Sequence, residues 1–505
     1  MHCPKWFVVS LPILFAFFCS LETLRAAAQP GPKPDVVLHG VVHGSQNHIY
    51  IEVPFRVPAG IHRVTLTFTY TERDRHTALD LGLLDPVELR CWSGGNKSTL
   101  TVGLSDATPS CLPGAIPAGT WNVLIGVPNI RPQVTSHYTA QVYFTRTGLV
   151  GDYPEILREP LRAGPGWFRG DLHMHTAHSD GQCPSQTGKM VPCPVVFTVE
   201  AAASRGLDFI GNTDHNTTSH DDAMRELQPY FDKVLLIPGR EITTFQGHMN
   251  FLGTTDFLDF RLGSAGVPTV NDLLRKARKL GALVSINHPR APTGEMCMGC
   301  GWTADPPADM NLLDAIEAVN GGSETPAQSG IPFWEHQLDL GYRLTAIGGS
   351  DNHRPMRPAD GPGSVGSPTT VVYAENLSTP AILAGIRAGH VFIDLTGSRN
   401  RMLDLTATCN SEVAHMGDEI RAPEGARVAF DARSAGIAGG RVELVEDGKT
   451  VPAITSAAGP DGSEGASDAW TSDGGRHWFL AEVFGPDGKL CLLGNPVFVN
   501  WPKHR

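Results

Sequence analysis

The stretch GDLHMHTAHSDG, residues 170–181, gathers three histidines and an aspartate within eight positions, directly after the aromatic pair Trp167-Phe168. His173 and His175 are two residues apart. On an extended strand both imidazoles therefore point to the same face, as two ligands of one metal ion require. Asp180 follows one turn later. The local pattern predicts a strand that runs into a metal-ligating loop.

The same feature, an apolar strand that ends in a histidine or a carboxylate, recurs four more times along the chain. Helical segments such as VNDLLRKARKLG (270–281) lie between several of these strands, and the alternation predicts a parallel sheet or a (β/α) barrel. The C-terminal ends of parallel barrel strands share one rim, so we expect these side chains to converge. The later groups are Asp214 with His215, Glu241 with His248, His288, and Asp351 with His353.

Nine of these side chains form the predicted ligand set, which is larger than one ion can use. They are His173, His175, Asp180, His215, Glu241, His248, His288, Asp351 and His353. They predict two or three Zn, Mn or Fe ions with bridging carboxylates. A single histidine at a strand end is more often a surface residue than a ligand, but five such strand ends make that explanation inadequate. A closed structural site is disfavoured because it uses four ligands, often cysteines. His178, Asp214 and His220 are expected to support the ligands or to face solvent.

In this order, the motifs DLHMHTAHSDG, TDHNT, PGREI…GH, NHP and GSDNH resemble those of the polymerase and histidinol phosphatase (PHP) superfamily. The resemblance implies a distorted (β/α)7 barrel with two or three divalent metal ions and a metal-activated hydroxide that hydrolyses phosphoesters. The stretch GWFRGDLHMHT, the export signal and the flanking β domains resemble one branch more closely, the carbaryl-hydrolase-like metallohydrolases. The namesake activity of that branch is cleavage of an aryl carbamate ester.

The resemblance also implies how the ligands are shared among the ions. The first ion would be held by His173, His175, Glu241 and Asp351, and the second by Asp180, His215 and His353. Glu241 would bridge from the first ion to a third, completed by His248 and His288. The spacing between Glu241 and His248 varies among relatives, so His248 is the member of this set that the resemblance supports least.

The first expectation for function is a phosphoesterase that acts on a small-molecule ester. Asp351 and His353 are predicted to be catalytic, with His353 or a bound water passing a proton to the leaving group. Arg290 and Arg354 each follow a predicted ligand closely. They would either clamp a phosphate or pair with a nearby carboxylate.

Two other functions stay open at this stage. An aryl ester or carbamate hydrolase would be favoured by an apolar cavity. A carbohydrate- or surface-binding protein with a vestigial barrel is opposed by the intact ligand set.

The rest of the chain predicts β-rich domains around this centre. Residues 29–150 and 400–505 have the alternating β-branched and aromatic pattern of β-sandwiches, and residues 151–399 carry the metallohydrolase motifs. An apolar run from Trp6 to Phe18, followed by Ala26–Ala28, predicts a cleaved signal peptide over residues 1–28 and hence a secreted or periplasmic protein. The sequence contains no second apolar span that would predict a membrane anchor. It does not indicate an oligomeric state.

Net charge and cysteine content limit which binding partners and which cellular compartment the sequence predicts. The net charge of −12 and the lack of a Lys/Arg tract argue against nucleic acid as a partner. Beyond the signal, eight cysteines fall in successive pairs, which predicts disulfides in an exported protein. The alternative is a four-sulfur zinc site made by Cys183, Cys193, Cys297 and Cys300.

Overall fold

The computed structural model describes residues 33–146, 160–293, 297, 299–321, 328–357, 363–452, 454–456 and 463–501. The predicted signal peptide, residues 1–28, lies outside the described residues. None of the helices within these ranges is long and apolar enough to cross a membrane.

The N-terminal region consists of two four-stranded antiparallel sheets, with strand orders β1-β8-β3-β6 and β2-β7-β4-β5. Alternating side chains of both sheets share one core, in which Leu66 of one sheet and Val123 of the other are fully buried. The strands are β1 (Val36–His43), β2 (Tyr50–Val57), β3 (Arg63–Tyr70), β4 (Ala78–Leu84), β5 (Leu89–Trp92), β6 (Thr99–Gly103), β7 (Gly119–Asn129) and β8 (Thr135–Thr145).

The middle region combines twelve strands with five helices, and its two larger sheets are mixed. The strands are β9 (Gly166–Asp171), β10 (Gln182–Pro184), β11 (Met190–Pro192), β12 (Phe209–Gly211), β13 (Leu235–Ile237), β14 (Gly239–Thr244), β15 (Gly247–Leu252), β16 (Leu283–Ile286), β17 (Ala315–Asn320), β18 (Thr345–Gly349), β19 (Thr369–Ala374) and β20 (Val391–Asp394). The helices are α1 (Val195–Ser204), α2 (Asp221–Leu227), α3 (Val270–Lys279), α4 (Ile331–Asp339) and α5 (Thr379–Ala388).

The expected (β/α)7 barrel between two sandwiches is wrong. The structure is 42% strand and 13% helix, and five helices within the described residues are too few for seven β/α units. One sheet has β13, β12 and β9 in parallel but then adds β19 antiparallel to β9. The other has the order β14-β15-β16-β17-β18, with antiparallel pairs at one end and parallel pairs at the other.

Hairpins account for this difference from the expected fold. β15 and β19 each add an antiparallel neighbour where a barrel would need a helical crossover. Gly247, with φ of 143°, closes the β14–β15 hairpin in a conformation that side chains disfavour. The segment KVLLIPGREI is divided at Pro238, which has no N–H to donate, and its halves β13 and β14 lie in different sheets.

The C-terminal region continues the sheet of the middle region. β20 pairs with β30, so one 11-stranded sheet crosses the predicted boundary between residues 399 and 400. A second, five-stranded sheet has the order β22-β21-β24-β28-β27. The strands are β21 (Met402–Cys409), β22 (Glu412–His415), β23 (Glu419–Ile420), β24 (Arg427–Ala435), β25 (Arg441–Glu446), β26 (Lys449–Val451), β27 (Ile454–Ser456), β28 (Glu464–Thr471), β29 (His477–Phe484), β30 (Leu490–Gly494) and β31 (Val497–Val499).

Three carboxylates lie close together where β25 and β29 of the 11-stranded sheet pack against α4. Glu482 of β29 lies directly opposite Glu443 of β25 in the antiparallel register. Burial, and then the like charges of Glu335 on α4 and of Glu443, raise the pKa of Glu482 to about 7. Glu482 is therefore a group whose protonation couples to the stability of the fold.

Six of the eight cysteines form three disulfides: Cys91–Cys111, Cys183–Cys193 and Cys297–Cys300. The alternative four-sulfur zinc site is not formed, since its four thiols are consumed in two separate disulfides. Cys409 and Cys491 are buried free thiols. The disulfides are typical of proteins that fold in an oxidising, extracytoplasmic compartment.

Candidate metal centre

Two backbone bridges join the ends of strands that belong to different sheets. Met174, just after β9, pairs in parallel with Asn352, just after β18. His215, just after β12, pairs in parallel with Glu241 of β14. The loops that leave these strand ends therefore share one side of the middle region, although their sequences are far apart.

Glu241 lies at the centre of the site and is 1% exposed. Its Oε1 lies 3.1 Å from His248 Nδ1 and 3.2 Å from His288 Nε2. Its Oε2 lies 2.8 Å from His215 Nδ1 and 3.6 Å from His175 Nε2. One carboxylate thus contacts histidines from three other segments of the chain.

Asp351 lies in the inner part of the site, beside His173 and His175 of the first motif. Its Oδ1 lies 3.2 Å from His175 Nε2 and 3.4 Å from His173 Nε2. Nε2 of His173 is also 3.4 Å from Oε1 of Glu241. His173 and His175 lie just beyond the end of β9 rather than on a strand, and they face the same two carboxylates, as their spacing of two residues predicted.

Asp180 marks the outer side of the site, where its side chain is 56% exposed. Its Oδ1 lies 3.2 Å from His353 Nε2, 3.8 Å from His215 Nε2 and 3.9 Å from His175 Nδ1. His353 is 35% exposed in its side chain, whereas His175 is fully buried. This outer group connects the buried carboxylates to solvent.

Three overlapping groups of side chains have ligand atoms close enough together to hold a metal ion. Eight of the nine predicted ligands belong to them, and the ninth, His248, contacts Glu241 directly. The groups are His175, Asp180, His215 and His353; His173, Glu241 and His288; and His173, His175 and Asp351.

Buried atoms without hydrogen-bond partners show that this arrangement fits metal ions. Nε2 of His173 and Nε2 of His248 are buried, and neither makes a hydrogen bond within the part of the chain that the structure describes. Leaving such atoms unpaired is costly, and both are imidazole nitrogens, which divalent transition metals prefer as ligands. The donor set is therefore incomplete as a hydrogen-bond network and suited to coordination.

The electrostatics of the site favour added positive charge. Burial alone would lower the pKa of His173, but Asp351, Glu317 and Glu241 raise it well above its usual range. Burial would raise the pKa of Glu241, yet the surrounding histidines hold it well below its usual range. The carboxylates thus stay ionised and stabilise a cation among them, which can be a proton or a metal ion.

Glu317 is the supporting residue that sequence reasoning missed. This β17 side chain is 1% exposed and lies 3.0 Å from His173 Nδ1 through its Oε1. Its Oε2 accepts the backbone N–H of His288 at 2.9 Å and an N–H of Asn320 at 3.0 Å. A carboxylate on Nδ1 leaves Nε2 of His173 free to face Glu241 and Asp351.

Backbone geometry and a second carboxylate also fix the ligand loops. His288 and Asp351 have φ angles of 26° and 53°, a region that non-glycine residues rarely adopt and that clusters at functional sites. Asp214, fully buried, accepts the backbone N–H and hydroxyl of Thr176 at 2.7 Å each and the hydroxyl of Ser179 at 2.6 Å. Asp214 thereby orders the loop between His175 and Asp180.

The remaining predicted residues lie around this centre. His178 contacts Ser219 Oγ at 2.7 Å, and buried His220 contacts the carbonyl of Gly239 at 2.7 Å. Arg290 and Arg354 are exposed, and within the described residues neither guanidinium forms an ion pair. The predicted alternative of a carboxylate partner for these arginines is therefore not seen.

No family model matches the chain, and neither the curated proteins nor the solved structures include a significant match. The resemblance to the PHP superfamily thus stays a prediction that rests on the motifs themselves.

Proposed function

We propose that this chain is an exported, metal-dependent hydrolase that cleaves an ester bond in a small phosphoester. The observation that carries the proposal is the convergence of Glu241 and eight other ligand-type side chains, among them buried histidine nitrogens that make no hydrogen bond within the described residues. The order of motifs that resembles the PHP superfamily supports the same reaction class. Two or three Zn, Mn or Fe ions fit the number and type of donors.

The chain's own residues divide into an inner and an outer part. His173, His175, His248, His288, Glu241 and Asp351 would hold metal in the buried part, and Asp180, His215 and His353 on the solvent side. Bound divalent ions supply Lewis acidity toward water and toward the ester oxygens. Because the outer group is the exposed one, we place substrate entry beside Asp180.

His353 has one nitrogen available for this chemistry. Its Nδ1 lies 2.9 Å from the carbonyl oxygen of Asp351, so Nε2 is the nitrogen that faces Asp180. A single nitrogen holds either a proton or a metal ion. We assign the metal-holding role to it because Asp180 and His215 complete the same group. The proton for the leaving group then comes from solvent at the open side.

Arg290 and Arg354 are the candidates for binding the phosphate. Both are exposed and make no ion pair within the described part of the chain, so their guanidinium donors remain available to an anion. Arg290→Gln and Arg354→Gln should raise KM for a phosphodiester without reducing metal content. An unchanged KM in both variants would remove them from substrate binding.

The experiment that tests the proposal measures metal content and hydrolysis in the same samples. Protein purified without chelator is compared with the Asp351→Ala/His353→Ala variant and with Asp487→Asn as a control at an exposed site. Metal is quantified by mass spectrometry, and the substrates are p-nitrophenyl phosphate, bis-p-nitrophenyl phosphate and 1-naphthyl methylcarbamate.

We expect two or three equivalents of Mn, Fe or Zn together with phosphoester hydrolysis, both lost in the double variant and kept in the control. Turnover of the carbamate alone would replace the phosphoesterase by a carbamate hydrolase. Less than one equivalent of metal, with no turnover after Mn or Zn is added, would contradict both and favour a binding protein.

A further inference from the structure

A cavity lies where β9 and β19 of the 11-stranded sheet meet β21 and β22 of the five-stranded sheet, and none of its described lining residues belongs to the metal centre. Its volume is about 260 Å³. One wall comes from β9, β19 and the start of β20, and the other from β21, β22 and the turn before β23. The lining side chains that matter are Trp167, Tyr373, His390, Asp404, His415 and Asp418.

The first wall is an aromatic corner held rigidly by the sheet. Trp167 and Tyr373 are directly opposite in the antiparallel β9–β19 register, with ring centroids 5.5 Å apart and an interplanar angle of 66°. Buried Phe392 packs on Trp167 at 5.3 Å and fixes the indole. Tyr373 is 38% exposed on a strand whose other side chains are buried, so its ring faces the cavity rather than the core.

The second wall carries carboxylates. Asp418 accepts the backbone N–H of His415 at 3.0 Å through Oδ2 and contacts His390 Nε2 at 3.1 Å through Oδ1. Burial opposes ionisation of Asp418, but these hydrogen bonds lower its pKa below the usual value. Asp404 is 49% exposed in its side chain, and its nearest histidine contact is 3.9 Å away. Asp404 thus has acceptor capacity left for a ligand.

The charge of the cavity selects the kind of ligand. The described residues that line it include no Lys or Arg. Arg433 lies opposite Asp404 in the β21–β24 register, but its main partner is Asp431 at 2.8 Å, and its attraction to Asp404 is the weaker one. An anion would be repelled by both carboxylates. A neutral ligand would displace water from two ionised groups without compensating their charge. A cation is attracted both by the carboxylates and by the faces of the aromatic rings.

We propose that this cavity binds a small organic ammonium ion, with its quaternary or methylated nitrogen between the Trp167–Tyr373 corner and Asp404. The size of the cavity suits a headgroup such as choline rather than a large ligand. The site is independent of the metal centre, so its occupancy does not depend on the proposed hydrolase activity.

The test is a calorimetric titration of the full chain with choline chloride, in which NaCl is replaced at constant ionic strength. The titration is run at about pH 8. The uncharged analogue 3,3-dimethyl-1-butanol and methyl glucoside are titrated in parallel. Because cation–π attraction and the carboxylates act only on the cation, we expect the alcohol to bind at least about tenfold more weakly.

Two variants and a control tie the binding to this cavity. Asp404→Asn and Tyr373→Leu should each weaken choline binding by about five- to tenfold, and Asp487→Asn should leave it unchanged. Both substituted side chains are exposed, so thermal unfolding should report intact folds. The proposal is overturned if choline does not bind at millimolar concentrations, if the alcohol binds as tightly, if the glucoside binds instead, or if Asp404→Asn has no effect.

Discussion

Glu317 offers the sharpest test of how the metal centre is held, because its carboxylate contacts two predicted ligands. It contacts the imidazole ring of His173 and the backbone N–H of His288. Glu317→Gln keeps the size of the side chain but replaces one acceptor oxygen by an N–H2 group. The amide can then accept either from His173 Nδ1 or from the His288 N–H, but no longer from both. One of these donors is left facing another donor in a fully buried place.

The expected loss follows from the role of such carboxylates. Removing the group that holds the second nitrogen of a ligand histidine weakens metal binding about 10- to 100-fold. That loss corresponds to roughly 1.4–2.8 kcal/mol, in line with one or two charge-assisted hydrogen bonds.

The assay is a competition titration with a chromophoric chelator for Mn or Zn, read beside metal content by mass spectrometry. Glu335→Gln, a half-buried glutamate on α4 away from the site, is the matched control. Metal-free samples are compared by circular dichroism and thermal unfolding. If Glu317→Gln binds metal within about twofold of the parent while it is correctly folded, Glu317 does not position His173, and the reasoning fails.

Three further outcomes are expected. Gly349→Ala should weaken metal binding like the glutamine variant although no ligand changes, because the new Cβ would clash with Oε1 of Glu317 and lie 2.6 Å from Cβ of His173; the chelator competition measures this. Glu482→Gln should stabilise the fold above about pH 7, by up to roughly 3 kcal/mol, and have no effect below about pH 4.5. The sign follows because the folded pKa is raised, so stability is lost as pH rises through it; urea unfolding at both pH values decides. Replacing the Cys183–Cys193 pair by serines should cost about 3 kcal/mol, given a sequence separation of 10, and lower metal affinity on the outer side; an unchanged urea midpoint would contradict this.

Most of the candidate ligands could be predicted from the sequence because their immediate neighbours form a recognisable local pattern. His173 and His175 show the alternation of a strand, and His288 and Asp351 each lie two residues beyond the end of a buried strand. Helices α3 and α5 also carry local signals: polar caps at Thr269 and Ser378, and a glycine after α5. These features depend on a few adjacent residues, so no tertiary information was needed to find them.

The strand partners could not be predicted in the same way. β19 pairs with β9 across some two hundred residues, and β20 pairs with β30 across about one hundred, and nothing local specifies either pairing. Glu317 was missed because it sits in the middle of an apolar strand rather than at its end. A charged residue among buried neighbours was itself a signal, since burying a carboxylate is costly unless it is hydrogen-bonded.

The change of fold class does not remove the basis for a metal centre. Convergence of the ligands requires only that a few strand ends lie side by side, and a closed ring of β/α units is one of several ways to achieve it. Here the bridge between Met174 and Asn352 brings His173 and His175 next to Asp351, and the bridge between His215 and Glu241 adds the central carboxylate. The antiparallel hairpin β14–β15, absent from the expected barrel, places His248 beside Glu241 from the neighbouring strand. That ligand had the least predictable spacing, because a hairpin turn rather than a strand end determines its position.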